Sequence, residues 1–148
     1  MQTFIHIEDF RVVADQKTMD IVSQTDSDTL NSAIEFAIDE ISGYLRAADP
    51  AKIGRQPYDI EAAFSATGND RNKQLVMYTC DCALYHLIAK LPQRMGFEIR
   101  QLRYEQAIDW LEKIQAGKTL LDIPELQADP EAQTPIRWGS WQKNKHDY

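Results

Sequence analysis

Residues 75–91 read LVMYTCDCALYHLIAKL, and only Thr79, Asp81, His86 and Lys90 interrupt the apolar run. A helix that is apolar on every side has to be buried on every side. The segment predicts a helix from Asp70 to Leu91 that is either the central helix of a bundle or covered on one flank by another subunit. At 148 residues the chain is one domain by length and has few helices with which to wrap it.

The neighbours of such a helix must carry apolar stripes of their own. A long helix is expected after Thr25-Asp26-Ser27-Asp28, whose side-chain oxygens suit a helix N-cap. In it Leu30, Ile34, Ala37, Ile38, Ile41 and Leu45 recur at helical spacing, with Phe36 and Tyr44 flanking. It should stop by Asp49, because Pro50 disfavours helical geometry in the residue before it. A further helix is expected from Phe97 to Ala116. There Tyr104, Ala107, Ile108, Leu111 and Ile114 form one stripe, with Trp110 beside it. Glu105, Gln106, Asp109, Glu112 and Lys113 fall largely opposite. Gly117 follows where a left-handed C-cap suits glycine. Two short helices, Glu8 to Ala14 and Gln16 to Val22, precede these, and the opening TFIHI is too short for a sheet without partners.

The expected fold is all-α: a small bundle of four to five helices with a long connecting loop and an extended C-terminal tail. The loop is 49–70, broken by Pro50, Gly54, Pro57 and Gly68, with one possible helical turn at Ile60–Phe64. The helical domain covers 1–117. The tail, 118–148, is interrupted by Pro124, Pro130 and Pro135 and finishes in IRWGSWQKNKHDY.

The net charge of −7 is concentrated at one end. Residues 1–50 carry ten acids against Arg11, Lys17 and Arg46, whereas 51–148 hold thirteen of each sign. An acidic face repels duplex nucleic acid, which disfavours sequence-specific DNA binding; a solvated helix face is the bland account. No run approaches the roughly 20 apolar residues a membrane span needs. The start lacks a secretory pattern, and Cys80 and Cys82, two apart on a helix, are poorly placed for a disulfide. Buried, reduced thiols in a cytoplasm follow as the expectation.

Catalytic chemistry finds little support. Cys82 and His86 are four apart and could face one metal, but no second pair completes four ligands, and His6 and His146 lie at the chain's ends. Core packing is the expectation for the cysteines, so no metal or cofactor is assigned. Asp81 is the anomalous charge in the apolar helix and needs a partner, an arginine or a helix N-terminus, or else exposure on a polar seam. No phosphate-binding loop or nucleophile motif occurs, so no catalytic residue is assigned. Arg137, Trp138 and Trp141 are interface candidates, since Trp and Arg are enriched at binding hot spots. The alternative is a tail folded back over its own domain; nucleic-acid stacking is weaker. Tyr58, Phe64 and Trp110 are further aromatic interface candidates.

The YLRAAD end of the third helix, the CDCALYHL heart of the fourth, RYEQAIDWLEKIQAGKTLLDIP and the acidic opening (IEDF, MDIVSQTD) resemble one group of proteins. These are the small head–tail connector, or adaptor, proteins of Mu-like prophages, and the resemblance spans roughly residues 5 to 125. It implies an all-α subunit, made in the host cytoplasm, that forms a ring with copies of itself in the virion. That ring sits beneath the portal protein, docks a tail protein and lets the genome pass without specific binding. The activity implied is assembly, not catalysis. The 49–70 connection and the aromatic tail depart from the family pattern. An acidic channel surface would suit sliding DNA, so charge reversal at Asp39 and Glu40 should then impair genome passage. Two other classes remain open: a small helical enzyme or regulator using Asp81 and His86, and a cytoplasmic adaptor using the tryptophan tail.

Overall fold

A computed structural model describes residues 3–90 and 96–127. Among them the fold is all-α: α1 Gln16–Gln24, α2 Ser27–Arg46, α3 Pro50–Ile53, α4 Ile60–Ser65, α5 Lys73–Ala89 and α6 Phe97–Gln115. Two 3-10 turns, Ile7–Val12 and Gly68–Asp70, complete it. No described helix is long and apolar enough to cross a membrane.

The apolar-all-round segment is α5, and it packs against both α2 and α6. Leu75, Thr79, Cys80, Cys82, Ala83, Leu84, Leu87 and Ile88 are buried, so burial spreads around the helix as its composition requires. Val76, Met77, Tyr78, Tyr85 and His86 are half-buried, leaving a narrower part of the circumference in contact with water in the single chain. From α2 come Leu30, Ala33, Ile34, Ala37, Ile41 and Leu45; from α6 come Ala107, Leu111 and Ile114. Phe10 and the short TFIHI run, through Phe4 and Ile5, close one end of the core. Cys80 and Cys82 are unpaired and buried, and burial pushes both thiols far above their ordinary range.

Local chemistry explains the helix starts. Asp15, Asp26, Asp49, Asp59 and Asn72 each cap a helix by accepting a backbone N–H at 2.9–3.0 Å. The long connecting loop expected over 49–70 is more ordered than that: the turn expected at Ile60–Phe64 is α4, and α3 and the Gly68–Asp70 turn lie on either side of it. Pro50 does close off α2, with Asp49 in extended geometry, but it also opens α3 as its first residue, where its missing N–H costs nothing.

After α6 the chain turns at Gly117, whose φ is +75°. A Cβ there would lie 2.5 Å from the Lys52 carbonyl oxygen, so glycine lets α6 exit directly across α3. Leu121 and Ile123 then enter the core. Leu121 N–H donates to the Tyr58 hydroxyl at 3.1 Å, and Asn72 donates to the Asp122 carbonyl at 2.9 Å. Asp59 N–H donates to the Pro124 carbonyl and Leu126 N–H to the Pro57 carbonyl, both at 2.8 Å, forming a single antiparallel bridge. Arg55 pairs with Glu125 beside it. The stretch 118–127, read as the start of an extended tail, is a strap bound to the helical body.

Candidate interface surfaces

The polarity of α6 reverses along its length. From Tyr104 onward the apolar residues face inward, as its spacing predicts. In the first half Arg100 is buried and Ile99 and Leu102 are about half exposed, at 48% and 50%. The buried arginine donates to the Val13 carbonyl at 2.9 Å, which anchors α6 to the N-terminal segment. Burial holds its guanidinium below the usual arginine range, with Asp81 opposing that effect.

Arg103 supplies the partner that Asp81 requires. Its Nε lies 2.7 Å from Oδ1 and one terminal nitrogen 3.3 Å from Oδ2, a two-point contact across α5 and α6. Asp81 is 2% exposed. Burial raises its carboxyl above the usual carboxylate range, while the Arg103 hydrogen bond and charge pull it back. The arginine side chain keeps 30% of its surface in water, so the pair lies on the rim of the core and not at its centre.

Further along the same flank, Trp110 stacks on Tyr78 with ring centroids 4.3 Å apart. Beside this pair runs a groove of about 490 Å³, lined by Tyr78, Leu102, Glu105, Gln106, Asp109, Trp110 and Lys113. Its floor is aromatic and its outer wall acidic, with Lys113 held by Asp109 at 2.7 Å.

On the other flank, α2 and α5 meet α6 around Glu40. The Tyr104 hydroxyl donates to Glu40 at 2.7 Å, and His86 Nε2 lies 3.2 Å from its other oxygen. Burial alone would raise the Glu40 carboxyl, but these two hydrogen bonds outweigh it and the net shift is downward. Burial, then Glu40, pushes the Tyr104 hydroxyl well above its ordinary value. Tyr85 stacks on Tyr104 at 4.1 Å, and Phe36 meets the His86 ring edge-on at 4.6 Å while staying 57% exposed.

These geometries sort the residues singled out in the sequence. Asp81 and His86 do not form one site: they sit about 140° apart around α5 and serve different partners. Cys82 points into the core, and the described residues hold no group of three or more potential metal-ligating His, Cys, Asp or Glu side chains. Tyr58, read as an interface residue, is 4% exposed and packs under the strap. Phe64 is half-buried edge-on to Phe4 at 4.9 Å, and Trp110 is half-buried in the groove. Arg137, Trp138 and Trp141 lie outside the described residues. Sequence reasoning missed Ile99, Leu102 and Phe36 as exposed apolar positions. The alternation FEIRQLR in the first turns of α6 carried that signal, since two arginines fall on its inward side.

Half of the acids that make residues 1–50 so negative have structural work. Asp15, Asp26 and Asp49 cap helices, Glu40 holds Tyr104 and His86, and Asp9 pairs with Arg71 at 2.7 Å. Glu8, Asp20, Asp28, Glu35 and Asp39 remain on the surface.

No curated protein and no solved structure matches the chain. The family model described as bacteriophage Mu, Gp36 matches residues 1–138.

Proposed function

The chain belongs to the bacteriophage Mu Gp36 family, and from that premise we propose that it is a head–tail connector subunit acting by assembly and not by catalysis. Copies form a ring beneath the portal protein of a Mu-like phage or prophage virion, and the ring docks a tail protein. The observation that carries this reading is the reversed first half of α6, where Ile99 and Leu102 face water while Arg100 is buried. A fold that inverts a helix in this way leaves apolar surface for something else to cover. A closed ring is built from heterologous contacts, so each subunit needs two different surfaces. The outer face of α6 and the exposed Phe36 on α2 are two such surfaces on separate elements. The five surface acids of residues 1–50 suit a channel lining past which DNA slides without being held.

Electron microscopy of the purified chain mixed with its cognate portal tests the proposal. A ring of added density coaxial with the portal is expected. Portal particles without added density, or turnover of a substrate by the purified chain, would overturn it. The proposed DNA role is tested at Glu35 and Asp39, because reversing Glu40 would break its bonds to Tyr104 and His86. Phage yield is expected to fall in E35K/D39K; an unchanged yield counts against an acidic channel lining.

A further inference from the structure

The two apolar surfaces on the outer helices are both flanked by acids. On α6 the exposed charges include Glu98, Glu105 and Glu112. On α2, around Phe36, they are Asp28, Glu35 and Asp39, with no base before Arg46. Like charges disfavour pairing these surfaces with each other, so Phe36 needs a different counterpart. A second groove, of about 280 Å³, offers one between the Ile7–Val12 turn and the start of α5. Val12, Val76 and Met77 form its apolar part, and Val12 is 68% exposed. Asp9 and Arg71 also line it but neutralise each other at 2.7 Å. That leaves Lys73, exposed and in no ion pair among the described residues, as the net charge of the lining. A cavity of ~150 Å³ holds benzene, so the groove has room for a phenyl ring, and methionine packs favourably against one.

Plug and socket lie on opposite sides of the central helix. His86 of α5 meets the Phe36 ring edge-on. Met77 comes nine residues earlier on α5, about two and a half turns, which puts it on the far side. Copies joined through opposite faces follow one another head to tail, as a closed ring requires. We infer that Phe36 of one copy seats in the groove of the next, between Val12 and Met77, with Asp39 beside Lys73. Asp39 follows Phe36 by three positions on α2 and so shares its side of the helix. Contact with His86 orients the Phe36 ring beforehand, which lowers the ordering cost of docking. The inference rests on the connector reading: it names the contact between copies and leaves the outer face of α6 to the portal.

Cross-linking on the portal tests it. Full-length D39C and K73C variants are mixed with the cognate portal and treated with a short bismaleimide. Cys80 and Cys82 have no exposed surface and do not compete. Links between D39C and K73C should exceed those formed by either variant alone by at least tenfold. Adding F36S to both should remove them, with circular dichroism unchanged. D39K and K73E should each lower ring occupancy on the portal, and the combined D39K/K73E should restore it. K73E cannot mend an altered channel lining, so that rescue belongs to this contact alone. A ring that forms without the mixed link, or despite F36S, overturns the contact and leaves the connector reading standing. The mixed link without a portal ring keeps the contact and overturns the connector. Absence of both overturns both.

Discussion

The Asp81–Arg103 contact is asymmetric, and that decides how its members respond to mutation. Asp81 is closed off from water, whereas Arg103 can turn outward if its partner is lost. Removing Arg103 strands a buried charge, so R103M should cost about 3–5 kcal/mol, and D81N distinctly less. Replacing both as D81L/R103M should return stability to within about 1 kcal/mol of the wild type, measured by urea denaturation. The pH dependence has a definite sign. A carboxyl raised in the folded state takes up its proton more readily when folded, so R103M should regain stability as pH falls from 7 to 5. Asp9 behaves in the opposite way. Burial would raise it, but the Arg71 hydrogen bond, the His6 N–H and the Arg71 charge hold it below its ordinary value. Its stabilisation is present above the ordinary carboxylate range and lost as pH falls through it. D9N should therefore lose about 1–3 kcal/mol at pH 7 and show a shallower acid transition. That Asp81 needed a partner was readable from its setting; that Arg103 is the partner was not, because Arg103 is 22 positions away and its direction depends on how α5 and α6 pack.

Among the elements, the long helices were readable because spacing and capping residues agree over many turns. Of the short ones, Gln16 to Val22 and the turn at Ile60–Phe64 were readable and α3 was not. α3 holds four residues, too few for periodicity, and the proline and glycine that bound it look like loop chemistry until the Asp49 cap is counted. The reversal in α6 was missed because its second half is regular enough to set the reading for the whole. Two glycines give opposite expectations. G117A puts a Cβ against the Lys52 carbonyl at a left-handed position and should cost at least ~2 kcal/mol in thermal or chemical unfolding. Gly43 lies inside α2, and an added Cβ meets nothing within 4 Å. G43A should stabilise the single chain by about 0.5–1 kcal/mol.

For the whole molecule, folding and assembly should separate at the outer face of α6. I99E/L102E places charge where both side chains are half in water, so stability should change by less than about 0.5 kcal/mol per site. The same variant should fail to add density to the portal in electron microscopy, and normal assembly would show that this face is not used. The charge imbalance was visible from the chain alone, but its meaning was not, because caps and internal pairs absorb half the acids and only the fold distinguishes them. The strap has a consequence for biosynthesis. Leu121 has no exposed surface and seats against Tyr58, so the core lacks a part until the ribosome has passed Ile123. A nascent chain therefore carries its helices unsealed through most of translation, and a product terminated at residue 117 would emerge with the bed of Leu121 and Ile123 bare. The helical body becomes sound only once Leu121 and Ile123 are in place, a built-in check against copies that stop before them.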